Sequence, residues 1–245
     1  MANLLKKILG QRPKYVYKDR FKTREDAALS AQNIRDYGSK SYDSRSVKNL
    51  KFDEKYTQGR SMIVPLILST LDEGRYTILD IGGGVNAVFS HLNEVQKALH
   101  QCLVLERTEV IQSLNKKIPE KYNKNIHYIS SIDNVEAIDI AYFGSSVQYI
   151  EDYETLLNRI STLSPQFIIF SESIFTNADE DYFVMQINMF SDVFPNRFVS
   201  EKKLIKLMKN LCYQCTYNKL VAGDFSHETI RRDSYDCKTL VFKHS

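Results

Sequence analysis

From Tyr76 onward the chain alternates two apolar patterns. Short runs are apolar at nearly consecutive positions: Tyr76–Ile81 (YTILDI), Gln101–Glu106 (QCLVLE), Ile126–Ile129, Ile138–Phe143 (IDIAYF) and Phe167–Phe170 (FIIF). Between them, apolar residues recur every three or four positions, over Ala87–Leu99, 109–118 and Tyr153–Leu163. The runs predict strands buried on both faces, and the spaced stretches predict helices. Such an alternation builds a parallel sheet covered by helices on both sides. Ser200 then caps a predicted helix that has Glu201 at its first position, with Leu204, Leu207, Met208 and Leu211 turned inward. Tyr213–Val221 and Lys238–Lys243 read as two strands with no helix between them, and therefore as an antiparallel pair. Five βα units and this terminal pair predict an α/β fold with a seven-stranded, mostly parallel sheet.

Residues 1–75 differ in pattern and form a predicted helical N-terminal extension to a core of residues 76–245. Thr23-Arg-Glu-Asp26 has the form of a capping box, and Ala27, Ala28, Ala31 and Ile34 follow at helical spacing up to Tyr37-Gly38. A second helix is expected within Ser61–Leu71, its regular part starting at Pro65.

Composition sets the class. The 245 residues are 43% hydrophobic and 26% charged, values of a globular chain. No stretch approaches the roughly 18 apolar residues of a membrane span, and the first ten residues lack the long apolar region of a secretory signal. The net charge of +3 is divided: residues 1–75 hold 16 Lys and Arg against 9 Asp and Glu, and the remainder holds 17 against 21. The basic residues are interleaved with acids, which favours a solvated helical face over a nucleic-acid site. Four cysteines make no disulfide framework, and Cys212 and Cys215 have no second pair to complete a zinc site. A cytoplasmic, metal-free monomer is expected.

The informative motif is Ile78-Leu79-Asp80-Ile81-Gly82-Gly83-Gly84-Val85-Asn86. Glycines after a strand let the backbone turn tightly and approach a ligand, and the next helix would present its N-terminus to it. Counted from Gly82, Gly-x-Gly-x-x-Ala87 fits a dinucleotide fingerprint, with Glu106 lying 22 residues past Gly84. Counted from Asp80, the run fits the Asp-x-Gly-x-Gly-x-Gly of S-adenosylmethionine (SAM) enzymes, with Asn86 in place of the last glycine. The acid separates the two. A carboxylate at the mouth of the strand repels a pyrophosphate and favours the cationic methionyl end of SAM. Glu106, beside Arg107, accepts hydrogen bonds from ribose hydroxyls in either case.

Three further places bear on the same site. Ser131 and Ile132 follow the third strand where an adenine would lie. Ser145 and Ser146 follow the fourth, at the carboxyl edge where open α/β sheets bind ligands. Gln148 and Tyr149 are set to face the cofactor or an acceptor. Arg60 is a candidate partner for the SAM carboxylate. Catalytic candidates are few: His227, between Asp224 and Glu228 in a polar connection, and Tyr149. A SAM-dependent transfer gains much of its rate from alignment and does not require a conspicuous base.

The element order, ILDIGGGVN, LVLERTEV, IHYISSI and AYFGSSVQYIEDYETLL resemble, in order and spacing, a family of bacterial class I SAM-dependent methyltransferases whose genes often lie among those for surface-polysaccharide assembly. YKDRFKTREDAALSAQ, YGSKSYDS, VMQIN and FPNRFVSEKKLIKLM are similar as well, so the likeness spans roughly residues 15–220. It implies a Rossmann-like fold, SAM as cofactor, and O-methylation of a sugar or other small or glycan acceptor. Two alternatives stay open: a Rossmann-type NAD-binding oxidoreductase, and a non-catalytic SAM-binding partner protein. The last expectation is positional: residues 1–60 cap the carboxyl edge of the sheet and help form the acceptor site.

Overall fold

The computed structural model describes residues 16–32, 59–84, 87–187, 193–221 and 235–245. Its N-terminal part has strand β1 (Val16–Phe21), helix α1 (Arg24–Gln32), a 3-10 turn over Gly59–Ser61 and helix α2 (Ile63–Leu68). The core follows with β2 (Thr77–Ile81), a 3-10 turn over Val88–His91, α3 (Glu94–Leu99), β3 (Gln101–Leu105), α4 (Thr108–Asn115), β4 (Ile126–Ile129) and β5 (Ile140–Gly144). A 3-10 turn over Val147–Tyr149, α5 (Tyr153–Thr162) and β6 (Phe167–Thr176) come next. The last third holds β7 (Tyr182–Ile187), β8 (Val193–Ser200), α6 (Glu201–Asn210), β9 (Tyr213–Leu220) and β10 (Asp236–His244).

The predicted seven-stranded sheet is present in the order β4-β3-β2-β5-β6-β10-β9, parallel except for β10, which runs antiparallel to both β6 and β9. Both faces are buried, which explains the nearly continuous apolar runs. On one face Ile78, Val104, Ile140 and Ile169 pack with Val64, Phe89 and Leu114. On the other, Leu79, Phe143, Ile168 and Phe170 pack with Leu157 and Ile160 of α5 and Leu204 and Met208 of α6. Phe143 and Phe170 stack across adjacent strands with ring centroids 4.7 Å apart.

Three strands were not predicted. β6 overruns the end of β5, whose last pair is Gly144 with Ser171, and the vacated side of Phe175 and Thr176 pairs with Val199 and Ser200 of β8. β8 then pairs antiparallel with β7, and β7 with β1. An antiparallel β1-β7-β8 ribbon thus stands at the carboxyl edge of the main sheet. The N-terminal extension is therefore not wholly helical, because β1 is a strand of this ribbon. Its helix α1 begins as expected, with the Thr23 hydroxyl accepting the Asp26 N–H at 3.1 Å, and lies against β7 and β8. The expected continuation to Tyr37 lies outside the described residues.

One predicted helix is broken. In place of a continuous helix over Ala87–Leu99, a four-residue 3-10 turn is followed by extended Leu92 and Asn93, and α3 starts afresh. The cause is local. Asn93 and Gln96 form a capping box, each side chain meeting the other's backbone N–H, at 2.9 and 3.2 Å. Ser200 caps α6 as expected: its buried hydroxyl accepts the Lys203 N–H at 3.3 Å and donates to the Ala178 carbonyl at 2.7 Å. Ser200→Ala removes the cap and strands that carbonyl. It is expected to cost about 1–2 kcal/mol, read as a lower urea midpoint with an unchanged slope.

Candidate functional site

The tips of β2, β3, β4 and β5 meet at one edge, and the candidate residues follow each tip. Asp80 lies within the buried run of β2, one residue before its end, and is 1% exposed. Its Oδ2 accepts the Val88 N–H at 2.6 Å, so the acid, not a ligand, takes the first amide of the turn after the glycines. Oδ1 is buried and has no hydrogen-bond partner among the described residues. Burial pushes the carboxyl up to about 7; the Val88 N–H and Arg60 pull the other way, and Glu106 adds a further upward push.

The glycines fit around this acid. A β-carbon on Gly83 would lie 2.3 Å from Asp80 Oδ2, and one on Gly82 would lie 2.9 Å from the β-carbon of Ser146. Gly82 and Gly84 also have positive φ, of 71° and 51°. The loop therefore passes over the carboxylate and against the tip of β5 at backbone distance. Val85 and Asn86 lie outside the described residues. The expected helix N-terminus is a 3-10 turn of four residues here, so little aligned dipole points at the edge.

Glu106 lies one residue past β3, with its side chain 14% exposed. Its Oε1 accepts the Arg107 N–H at 2.9 Å, with Arg107 Nε 3.8 Å away. At the third tip, the Ser131 hydroxyl binds Asp133, which is paired with Arg159, and Ile132 is buried in the core. Ser131 also lines an open groove of about 830 Å³ along Leu103, Ile129 and Val135, where β4 passes to β5 without a helix. At the fourth tip Ser145 has a φ of 57°, and its hydroxyl donates to the Glu172 carbonyl at 2.6 Å. Ser146 and Gln148 are buried, and Ser146 Oγ and Gln148 Oε1 lack partners among the described residues.

Tyr149 is 44% exposed and stands against the added ribbon, with its hydroxyl 3.1 Å from Gln186 Oε1 and its ring edge-on to Phe194. His227 lies outside the described residues. Arg60 reaches the same edge from the N-terminal part: its carbonyl accepts both the Tyr142 and Ser171 hydroxyls, at 2.8 and 2.7 Å. The structure thus gathers Asp80, the glycines, Glu106, Ser145, Ser146 and Arg60 at one edge, with Ser131 at the neighbouring tip. Glu172 was missed. It follows the predicted run FIIF, and nothing in the polar triplet SES distinguishes it.

A seven-stranded sheet in this order, with the acid–glycine turn on its central strand, is the fold of class I SAM-dependent methyltransferases. Solved structures agree in fold. The 1,6-didemethyltoxoflavin-N1-methyltransferase of Burkholderia thailandensis, with 1,6-didemethyltoxoflavin and S-adenosylhomocysteine (SAH) bound, is similar at 15% identity and a TM-score of 0.52, over 96% of this chain and 100% of that one. The N-terminal domain of EvdMO1, crystallised in the presence of SAH and D-fucose, is similar at 9% identity and a TM-score of 0.53, over 92% and 98%. A SAM-dependent methyltransferase from Clostridium acetobutylicum gives 12% identity and a TM-score of 0.52, over 84% and 99%. No family model and no curated protein matches the sequence.

Proposed function

We propose that this chain is an enzyme that transfers the methyl group of SAM to a small-molecule or glycan acceptor, with oxygen as the methylated atom. The observation that carries the reading is Asp80: a fully buried carboxylate on which the glycine turn closes at backbone distance, with one oxygen that has no hydrogen-bond partner among the described residues. Burying a carboxylate is unfavourable unless a cation or donors compensate it. A ligand with an ammonium and a sulfonium group suits such a site, whereas a pyrophosphate does not.

When bound, SAM supplies an electrophilic methyl group on a sulfonium sulfur. Asp80 draws in the methionyl ammonium while holding the turn through Val88. Arg60 faces the methionyl carboxylate, Glu106 and Arg107 the ribose, and Ser131 and the Ile132 backbone the adenine. Ser145 and Ser146 lie toward the acceptor, with Tyr149 beyond them against the added ribbon. The described parts of residues 1–60 act as a cap at this edge; the pairing of β1 with β7 and the two hydroxyls on the Arg60 carbonyl support this. The D-fucose present with EvdMO1 supports a sugar acceptor. Four free thiols support a cytoplasmic setting.

Isothermal titration with SAM, SAH and NAD tests the reading. SAM and SAH are expected to bind, and methyl-labelled SAM incubated with a cell extract is expected to label a small-molecule or glycan fraction. Binding of NAD alone would overturn the proposal in favour of an oxidoreductase. Tight SAM binding with label in no fraction would make the chain a non-catalytic SAM-binding subunit.

A further inference from the structure

β6 carries an irregularity that the main sheet does not require. Along its antiparallel pairing with β10, Phe170 opposes Leu240 and Ser173 opposes Lys238, so Ser171 and Glu172 together face the single residue Thr239. This is a β-bulge, and Glu172 adopts a φ of 48° within it. The packing shows the change of phase. Before the bulge Ile168 and Phe170 face the α5–α6 layer, and after it Phe175 does so. Regular alternation would turn Glu172 into that apolar layer. The bulge instead puts Glu172 on the same face as Ser171, at the carboxyl edge.

The surroundings of Glu172 are built for a carboxylate. Ser171 Oγ donates to the Arg60 carbonyl, and Glu172 Oε1 lies 3.2 Å from where a β-carbon on Gly59 would sit, so the glycine admits the acid against this turn. Ser145, at the tip of β5, donates to the Glu172 carbonyl and ties the bulge to the loop that bounds the cofactor edge. Thr239 Oγ1 accepts the bulged N–H at 3.4 Å. A left-handed non-glycine residue held by surrounding bonds marks stored strain, and such strain clusters at functional sites.

We propose that Glu172 is the catalytic carboxylate of the acceptor site, facing the reacting methyl group and taking the proton of the acceptor's nucleophile. This rests on the methyltransferase reading above. As the acceptor oxygen bonds to the methyl carbon, the carbon–sulfur bond breaks with its electron pair on sulfur, and the hydroxyl proton passes to the Glu172 carboxylate. The group is suited to that role: half-burial raises its pKa above the usual carboxylate range, with Arg60 opposing the rise. Among the described residues, Tyr142 on β5 and Cys237 on β10 also feel this charge; burial raises the pKa of both, and Asp80 adds to the rise at Tyr142.

The test uses the full chain and the isosteric Glu172→Gln variant, which keeps the bulge geometry and should melt as the wild type does. A carboxylate facing the methyl group distinguishes cationic SAM from neutral SAH. Glu172→Gln should therefore lower the SAM-to-SAH affinity ratio about fivefold while SAH binding stays within about twofold. Carbon-13 NMR of the Glu172 carboxyl should show a lower pKa in the SAM complex than in the SAH complex. Label transfer should fall by about a hundredfold or more, with the acidic limb of the wild-type pH profile lost. An unchanged ratio, an unchanged carboxyl pKa between the two complexes, or full transfer by the variant would each overturn the assignment and leave the methyltransferase reading standing. A wild type that binds neither SAM nor SAH, or binds SAM and methylates nothing, would overturn both.

Discussion

Replacing Glu106 by alanine is expected to reduce SAM affinity by roughly two to four orders of magnitude, because two hydrogen bonds to a charged acceptor contribute about 1.5–3 kcal/mol each. The geometry supports a large effect. The side chain is mostly buried at the tip of β3, and its Oε1 is oriented by the Arg107 N–H at 2.9 Å. Little rotamer entropy remains to be lost on binding, so the gain from the ribose hydroxyls is retained in full. Glu106→Gln preserves the shape but exchanges one acceptor for a donor, and should fall between wild type and alanine. Titration calorimetry with SAH separates this effect from anything that acts on the sulfonium charge. The removal of Glu106 also relieves its like-charge push on Asp80, so the alanine variant should show a lower Asp80 pKa. Wild-type SAH affinity in Glu106→Ala would mean that the ribose lies elsewhere.

The parts of this fold legible in the sequence are those whose side chains report burial directly. FIIF, QCLVLE and IDIAYF are apolar on both faces because the sheet is covered on both faces, and the terminal pair was legible from a missing crossover helix. β8 was not legible because Phe194-Pro195-Asn196-Arg197 breaks the strand pattern. Proline is tolerated there because β8 meets β6 only at Val199 and Ser200, so among the described residues the strand has a neighbour at Pro195 on the β7 side alone. β1 was hidden for a different reason: VYKDRF carries the charged triplet Lys18-Asp19-Arg20 in its middle, and its place comes from pairing with β7. The break before α3 could have been found, since Asn93 and Gln96 have the spacing of a capping box. The bulge at Glu172 could not, because pairing partners far along the chain determine it. Sequence thus reported the edge where Asp80 and the glycines meet, where residue type is dictated by contact with backbone, and missed the ribbon and the bulge beside it, where register decides.

Asp80→Asn is expected to weaken SAM binding by about ten- to a hundredfold, since a charged partner contributes about 1.5–3 kcal/mol, without loss of stability above pH 7. The sign follows from the carboxyl's environment. Burial raises its folded pKa from 3.8 to about 7. Stability from this group is thus fully present below the unfolded pKa and is lost as pH rises through the folded one. At about 1.36 kcal/mol per unit, the ionised group costs the ligand-free fold about 4 kcal/mol above pH 7. The asparagine keeps an oxygen for the Val88 N–H and removes that titration, so its stability should be flat between about pH 4 and 7 where the wild type declines. Binding reverses the preference. An ammonium beside Asp80 favours the ionised form, so wild-type SAM affinity should rise by up to about tenfold per pH unit toward pH 7, with proton release on binding. The window closes near pH 8, where an α-amino group itself titrates at about 7.7–8.0. Calorimetry in two buffers of different ionisation enthalpy measures the released proton directly. If Asp80→Asn binds SAM as the wild type does, with the same pH slope, the buried acid only braces the glycine turn, and the cation must be met by another group at this edge.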